Sequence, residues 1–343
     1  RPASLPGPML KLTYSQVSPL LSPSPSSPTV QYFTYCTSLR LNVVRVYNVM
    51  SPAFYQALVD HNRAHATSDW IYILHGVWAP EELDGDAAGN PVDAWAPHLV
   101  ESMDDFINRT VRALHGDGDV RYLSTGTGHY TADASPWCIG WILGIEWYPY
   151  TVNLTNSGSR RDMAPHPGIY VNATDAASPF ESWIARAMDR LLLLDAGYGW
   201  QRPVSFTNWL TTDPVPHVME PPMPESAEDW MTVDGTRRPA NDVNARRTIA
   251  RADIHAGIWP CVSRWRAAHH IVLNEGFLAG DFVSFHAYPY YPDFLLYPPA
   301  WYNVSAAYVG NITLEDPYFL CLAQLKVLGA QVSRMPTRTA SPP

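Results

Sequence analysis

Glu146 has the residue type and the surroundings that are most typical of catalysis in this chain. It ends a run of mainly apolar and small residues, Ile139 to Glu146, which predicts a strand that is buried on both faces. A carboxylate is costly to bury unless it is paired, hydrogen-bonded or protonated, so a carboxylate at a strand end is typical of a general acid or base. The sequence leaves one alternative open, a structural ion pair at the end of this strand.

Aromatic residues follow this carboxylate and recur at other predicted strand ends. Trp147 and Tyr148 come directly after it, and their rings offer flat apolar faces of the kind that hold sugar rings. The chain contains 13 Trp and 19 Tyr, more than a core of this size needs, which favours a cleft lined with aromatic side chains. Trp78, Trp147 and Trp209 are the predicted sugar platforms.

Further polar and aromatic side chains lie at or near the carboxyl ends of predicted strands. In a parallel sheet or barrel these ends form the functional edge, so the sequence predicts that they bind substrate. The set comprises Arg45, Tyr47, His75, Trp78, Trp147, Asn208, Trp209, His286 and Tyr288, with His129 from a Gly-rich loop as a further donor. Two alternatives stay open: Arg45 as the structural partner of an acidic neighbour, and His75 as a core histidine.

Strand patterns alternate with helix patterns along the chain, and this order is typical of a parallel sheet in an α/β fold. The predicted strands are Leu41–Val49, Trp70–Val77, Ile139–Glu146, Val204–Asn208 and Phe282–Tyr288. The predicted helices are Pro52–Ala64, Ala96–Leu114, Pro179–Asp195 and Pro317–Leu328. A first strand has one candidate, the stretch from Met9 to Tyr14.

The composition predicts one folded domain between two tails. Residues 1–35 are rich in Pro and Ser and are predicted to be a disordered tail, because such a segment cannot bury enough apolar surface. Residues 36–330 form the predicted barrel domain, and residues 331–343 an unstructured tail. A chain of 343 residues suits a single (β/α)₈ barrel.

The charge balance argues against a nucleic-acid partner, and the hydropathy argues against a membrane-spanning segment. A net charge of −9 and no basic run argue against nucleic acid as a partner. We expect no membrane span in this chain, since no stretch approaches the roughly 20 continuous apolar residues that a spanning helix needs. The sequence predicts no cofactor and no metal site, because Cys36, Cys138, Cys261 and Cys321 lie far apart with no CxxC spacing.

The compartment is left open by the sequence, with an extracellular or cell-surface location favoured. The chain begins with Arg1 and has no signal-peptide pattern at its start. It contains sequons for N-glycosylation at Asn108, Asn153, Asn172, Asn303 and Asn311.

Three segments resemble the clan A glycoside hydrolases, the (β/α)₈ retaining glycosidases. They are Val44-Arg45-Val46-Tyr47, Gly144-Ile145-Glu146-Trp147 and Ser284-Phe285-His286-Ala287-Tyr288, within a similar order of strands from about Leu39 to Leu328. The resemblance implies that Glu146 is the acid/base that closes the fourth strand. It also implies that Arg45 supports the nucleophile from the second strand and that His286 and Tyr288 form the aromatic pair of the sixth.

The chain departs from that family's pattern at two places. Ile145 stands where the clan usually has an asparagine before the acid/base, so Asn208 or His129 is expected to supply the contact to the sugar 2-hydroxyl. The clan's nucleophile is a glutamate on the seventh strand, and no glutamate follows Asp316. We therefore expect an incomplete TIM-barrel-like α/β fold in which strands two to six are clear and the chain ends before the nucleophile.

The favoured hypothesis is a glycoside-hydrolase-like domain that cleaves, or formerly cleaved, O-glycosidic bonds of an oligosaccharide or polysaccharide with Glu146 as general acid/base. The alternative is an inactive carbohydrate-binding derivative that kept the aromatic cleft. A metal-dependent hydrolase that uses His75, His129, Glu146 and His286 is less favoured, because no HxH or HExxH spacing supports it. Other carboxylates could in principle replace the nucleophile. They are Asp293 after the sixth strand and a cluster after the fifth strand, Glu220, Glu225, Glu228, Asp229 and Asp234. A solvated acidic loop is the favoured interpretation of this cluster.

Overall fold

The computed structural model describes the parts of the chain that hold the main sheet and its helices. These are residues 9–12, 28–79, 85, 92–121, 126–144, 147, 152, 154–156, 163–209, 270–282 and 284–286. Glu146 and Tyr288 lie outside the described residues, and so does the predicted helix Pro317–Leu328.

The described elements include ten strands, four α-helices and two short 3-10 helices, Thr67–Asp69 and Ser135–Trp137. In chain order the strands are β1 (Met9–Leu12), β2 (Val43–Val46), β3 (Tyr72–Val77), β4 (Gly118–Val120), β5 (Gly128–Tyr130), β6 (Cys138–Leu143), β7 (Val171–Ala173), β8 (Val204–Trp209), β9 (Ile271–Leu273) and β10 (Ser284–His286). The helices are α1 (Pro28–Ser38), α2 (Pro52–Ala64), α3 (Pro97–Leu114) and α4 (Pro179–Gly197).

The main sheet is parallel and has the order β1-β2-β3-β6-β8-β10. Four central strands, β2, β3, β6 and β8, therefore end at one edge, which we call the carboxyl edge, and begin at the opposite amino edge. The predicted α/β arrangement with a parallel sheet is confirmed. Two short antiparallel pairs, β4 with β5 and β7 with β9, lie outside this sheet, and the sequence did not predict them.

The two faces of the sheet are both buried, but by different groups. Alternate residues such as Val44, Ile73 and Leu143 join the large core with the helices. Val43, Leu74 and Ile142 point to the other face and form a small second cluster, and all three are at most 9% exposed. Apolar burial on both faces explains why these strands read as nearly continuous hydrophobic runs.

The helix starts follow from local capping chemistry. Ser51 precedes α2 and its hydroxyl accepts from the backbone N–H of Phe54, while Pro52 occupies the first turn. Helix α4 begins with a capping box in which Ser178 and Glu181 bond to each other's backbone N–H groups. Helix α2 comes soon after β2 in the chain, and Phe180 in the first turn of α4 packs against Trp147, so both helix starts lie near the carboxyl edge.

Helix α1 corrects the predicted boundary of the amino-terminal tail. It begins at Pro28, inside the 1–35 segment that the sequence assigned to disorder. The physical reason is apolar burial: Phe33 and Cys36 are both 0% exposed and belong to the large core. Strand β1 likewise falls within the Met9–Tyr14 candidate and pairs in parallel with β2.

A buried charged network holds the amino edge together. The carboxylate of Asp195, at 0% exposure, accepts hydrogen bonds from Arg202, from His115 at 3.0 Å and from the indole N–H of Trp141 at 3.0 Å. Arg202 also donates to the backbone oxygens of Cys138 at 3.0 Å and Ser135 at 2.8 Å. The network therefore ties the ends of α3 and α4 to the starts of β6 and β8.

This arrangement keeps Asp195 ionised in spite of its position. Burial alone would raise the pKa of its carboxyl group, but the hydrogen bond from His115 and the attraction of Arg202 outweigh burial and lower that pKa. A charge that is buried but paired in this way is stable only while its partners remain.

Among the described helices, we find none with the length and apolar character needed to cross a membrane.

Replacing Arg202 with leucine should lower the free energy of unfolding by about 3 kcal/mol, because Asp195 would stay buried without its cation. The matched control is Arg186→Leu, which removes a partly exposed pair with Asp104 and should cost under about 1 kcal/mol. Urea denaturation followed by circular dichroism measures both variants. Equal losses for the two would contradict the role given to the buried network.

Candidate functional site

The candidate site lies at the carboxyl edge, where four parallel strands end side by side. The residues that follow β2 and β3 in sequence are Tyr47 and Trp78, and Gly144 follows β6. In register, Arg45 of β2 lies beside Leu74 of β3. Parallel pairing therefore brings together residues that are far apart in the sequence, as expected for the functional edge of an α/β sheet.

Arg45 is the charged group that the structure places in this sheet edge. Its side chain lies on the face away from the helices, since its neighbours Val44 and Val46 join the helix-side core. Arg45 is 8% exposed, and its guanidinium lies over the ring of Tyr47, with 4.8 Å from Cζ to the ring centroid. A nearly buried cation at this edge would favour an anionic group beside it.

Small residues line the same face next to Arg45 and Tyr47. Gly76 lies beside Tyr47, and a Cβ atom there would overlap the Tyr47 carbonyl, so only glycine permits this close approach of β3 and β2. Trp78 is the residue directly after β3, and its side chain is partly exposed. Contact between this ring and a ligand stays a prediction.

Gly144 makes the turn that leads from β6 toward Glu146. Its φ of +70° lies in the left-handed region, and a Cβ atom on it would overlap the indole ring of Trp147. Gly144 is bonded to both neighbouring strands: its N–H donates to the Val77 carbonyl at 2.9 Å, and its carbonyl accepts from the side-chain hydroxyl of Thr207 at 3.1 Å. Glu146 itself lies outside the described residues, between two neighbours, Gly144 and Trp147, whose positions are described.

Trp147 does not serve as a sugar platform in this structure, so that prediction is wrong. Its ring is 2% exposed and packs edge-on against Phe180 at 5.4 Å and Trp183 at 5.5 Å between ring centroids. The reason is the turn at Gly144, which folds the indole back onto the sheet and into the core beside α4. Trp147 therefore anchors the segment after β6 instead of facing a ligand.

The first turn of α4 holds this aromatic cluster in place. The backbone N–H of Phe180 donates to the Asn156 side chain at 2.9 Å, and Trp95 donates its indole N–H to the Pro179 carbonyl at 2.9 Å. The loop after β6, the loop before α3 and the start of α4 are thereby joined behind the carboxyl edge. Rigid support of this kind is what a catalytic group on a loop requires.

Glu181 is a buried acid in this supporting layer. It is 0% exposed, one carboxyl oxygen accepts from the Ser178 N–H at 2.6 Å, and the other oxygen is buried without a hydrogen-bond partner among the described residues. Burial raises the pKa of the Glu181 carboxyl to about 7, although the bonds from Ser178 oppose the shift. A capping glutamate with this pKa is half-protonated near neutral pH.

His75 lies in the core, which matches the alternative left open by the sequence and not the predicted contact with substrate. It is 0% exposed; its Nδ1 donates to the Gly76 carbonyl at 2.8 Å, and its Nε2 accepts from the Tyr55 hydroxyl at 2.7 Å. These two bonds use both ring nitrogens and fix the neutral form, and burial lowers the pKa of the ring to about 4. Tyr55 in turn accepts from the Met50 N–H, so His75 steadies the loop after β2.

His129 lies in β5, in the short antiparallel pair outside the main sheet. Its Nδ1 is 2.9 Å from a carboxyl oxygen of Asp119, and both side chains are exposed, at 66% and 80%. A surface pair of this kind is screened by water and is worth little energetically. The contact that the structure gives for the His129 side chain is therefore with Asp119, and none with the sheet edge is found among the described residues.

For the remaining predicted residues, the structure describes either the backbone alone or nothing. Asn208 and Trp209 are the last residues of β8, and His286 is the last residue of β10. In register His286 lies opposite Trp209, and Phe285 opposite Asn208. These three positions belong to the carboxyl edge, as predicted, while Tyr288 lies outside the described residues.

Two residues that sequence reasoning missed support the edge, Thr207 from within the sheet and Glu181 from the start of α4. Thr207, at 0% exposure, bonds to Gly144, and Glu181 caps α4. The capping box could have been predicted from the sequence, since Ser178 and Glu181 have the S-x-x-E spacing before an apolar run. Thr207 had no such signal, because its role depends on the register between β6 and β8.

Within the described ranges, no group of three or more His, Cys, Asp or Glu side chains could hold a metal ion. His75 and His129, two members of the less favoured metal hypothesis, lie respectively in the core and on the surface pair.

No protein-family model matches this chain, and no curated protein is significantly similar to it.

Replacing Gly144 with alanine should destabilise the protein by about 2 kcal/mol or more, because alanine is strained at positive φ and its methyl group overlaps Trp147. The matched control is Gly197→Ala at the end of α4, where nothing lies within 4 Å and the helical conformation suits alanine. Thermal melting followed by tryptophan fluorescence compares the two. A loss for Gly197→Ala as large as that for Gly144→Ala would contradict the described turn.

Stability should fall between about pH 4.5 and pH 7 because of Glu181. The folded state raises the pKa of this carboxyl from 4.5 to about 7, so the folded protein binds more protons than the unfolded chain across this window. The contribution is present below pH 4.5 and is lost as the pH rises through 7. Glu181→Gln keeps a capping acceptor and should flatten this slope, which urea denaturation at a series of pH values measures. An unchanged slope in the variant would contradict the assignment.

Proposed function

We propose that this chain is a glycoside-hydrolase-like domain that acts on O-glycosidic bonds of a glycan, with Glu146 as the general acid/base. The observation that carries the proposal is the Gly144 turn, which ends a central strand of a parallel sheet two residues before a glutamate in the sequence. Acid/base residues of α/β enzymes lie at this edge, after the carboxyl ends of strands. The resemblance to clan A glycoside hydrolases assigns the same role to the same position.

Hydrolysis of the glycosidic bond would begin with the Glu146 carboxyl group in its protonated form. Glu146 would donate its proton to the glycosidic oxygen as the bond from that oxygen to the anomeric carbon breaks, and would later take a proton from the attacking water. The nearly buried guanidinium of Arg45 would stabilise a second, ionised carboxylate at the same edge. That second carboxylate, the nucleophile of a retaining enzyme, is unassigned.

Two features support a barrel-like extension of the observed sheet, which belongs to the same proposal. Val43, Leu74 and Ile142 are buried on the face away from the helices, as barrel-interior residues are. All six strands of the main sheet are parallel, with helices α2 and α4 following β2 and β6 in chain order. We propose a TIM-barrel-like fold in which β2, β3, β6, β8 and β10 supply the central strands.

Partly exposed Tyr47 and Trp78 are the rings that would contact the sugar at this edge, together with the positions of Asn208, Trp209 and His286. Trp147 and His75 would act behind them by holding the loops after β6 and β2. The substrate is proposed to be an oligosaccharide or polysaccharide.

An inactive carbohydrate-binding derivative is the second candidate, and one observation favours it. Of the described residues that directly follow β2, β3 and β6, namely Tyr47, Asn48, Trp78, Ala79 and Gly144, none carries a second carboxylate. A domain with the aromatic edge and a single carboxylate would bind glycans without cleaving them.

The test is hydrolysis of a panel of aryl glycosides by the purified protein and by Glu146→Gln. We expect a fall of at least roughly 100-fold in kcat/KM for the variant, because general acid catalysis is removed. The matched control is Glu101→Gln, which changes an exposed glutamate on α3 and should leave the rate unchanged. Equal background rates for wild type and Glu146→Gln would reject the hydrolase, and glycan binding that survives without turnover would support the binding derivative.

A further inference from the structure

Two aromatic rings are exposed at the amino edge of the sheet, at the opposite end from the candidate site. Tyr198 and Trp200 lie between the end of α4 and the start of β8 and are 40% and 36% exposed. Among the tryptophans whose side chains the structure describes, Trp200 alone has this exposure. We call this pair the amino-edge platform.

A flat polar group covers one face of each ring in the platform. The imidazole of His115 is parallel to the Tyr198 ring, with an interplanar angle of 5° and 4.1 Å between centroids. The guanidinium of Arg202 lies over the Trp200 ring, with Cζ 4.3 Å from its centroid. The exposed area of each ring therefore belongs to its edge and its opposite face.

The covering groups are themselves fixed by the buried carboxylate of Asp195. Both His115 and Arg202 bond to this group, whose exposure is 0%. Gly199, with φ of +85°, makes the turn between the two rings, and nothing lies within 4 Å of a Cβ atom placed there. The two rings are thus held rigidly by a network in the core, which lowers the entropic cost of binding a ligand.

An acceptor and a donor lie beside the Tyr198 ring. The Tyr198 hydroxyl donates to the Asp117 carboxylate, which is also 3.5 Å from the Arg112 guanidinium. A pyranose ring presents one apolar face and a rim of hydroxyl groups, so it fits an aromatic face with carboxylate and guanidinium groups at its border. A purely apolar protein contact would leave this ion pair desolvated at a cost.

We propose that Tyr198 and Trp200 form a second glycan-binding surface, separate from the carboxyl edge, on which the apolar face of a pyranose ring stacks. The choice of a glycan as ligand rests on the proposed function, whereas the surface itself does not involve Glu146. It would hold a polysaccharide on the protein without taking part in bond cleavage.

The test is affinity electrophoresis in native gels that contain carboxymethyl cellulose, xylan, laminarin or galactomannan. The protein tested is Glu146→Gln, so that the polysaccharide is not cleaved during the run. We expect at least one polysaccharide to slow this protein, and we expect Trp200→Ala in the same background to bind roughly tenfold more weakly. Tyr198→Ala should weaken binding in the same direction, whereas Trp200→Phe, which keeps a ring, should retain most of it.

The matched control is Tyr35→Ala, which removes a 60% exposed ring from α1, far from the platform in sequence, and should not change migration. No slowing by any of the four polysaccharides, or equal slowing of Trp200→Ala, overturns the proposal. Self-association in sedimentation velocity that Trp200→Ala abolishes, without any slowing in the gels, also overturns it and assigns the surface to a protein contact.

Failure of this proposal and failure of the hydrolase proposal are distinguishable. Aryl glycosides are too small to need the platform, so cleavage that depends on Glu146 but is unaffected by Trp200→Ala leaves the hydrolase intact whatever the gels show. Gel binding that depends on Trp200, with no cleavage by any form of the protein, supports the platform alone.

Discussion

The contact between Gly144 and the indole ring of Trp147 is the constraint on which the carboxyl edge depends. Gly144 reaches a left-handed conformation that places the ring directly on its Cα, and the ring is then enclosed by Phe180 and Trp183. Because these rings belong to the first two turns of α4, strand β6 and helix α4 are fixed to each other at the point where the chain leaves the sheet. In the sequence, Glu146 lies between Gly144 and Trp147, the two residues of this contact.

The amino edge is held by a different kind of interaction. There the ends of α3 and α4 and the starts of β6 and β8 meet around the ionised carboxylate of Asp195. At the carboxyl edge the described contacts are mainly aromatic packing, with the charge of Arg45 beside them, whereas the amino edge holds a buried ion pair. This division matches the usual separation of function and stability between the two ends of parallel α/β sheets.

The helices and central strands could be predicted from the sequence because their signals are local. The bounds Pro52–Ala64 of α2 were predicted as observed, since proline and a serine cap mark its start and apolar periodicity its body. The roles of Trp147 and His75 could not be predicted, because an aromatic residue or histidine near a strand end has the same pattern whether its side chain faces a ligand or the core. Burial decides between these roles, and burial depends on the left-handed turn at Gly144 and on the hydroxyl of Tyr55. The short pairs β4–β5 and β7–β9 were missed because three-residue strands carry no periodicity.

Azide rescue tests most directly whether Glu146 protonates and deprotonates at the reacting centre. In Glu146→Ala, azide can enter the space left by the carboxylate and attack the anomeric carbon of the glycosyl-enzyme without base assistance, and the bond from that carbon to the unassigned carboxylate nucleophile breaks. Azide should therefore restore turnover of an aryl glycoside with a good leaving group, and the product, identified by nuclear magnetic resonance, should be a glycosyl azide of retained configuration. Turnover by Glu146→Ala at the wild-type rate, with no glycosyl azide among the products, would contradict it.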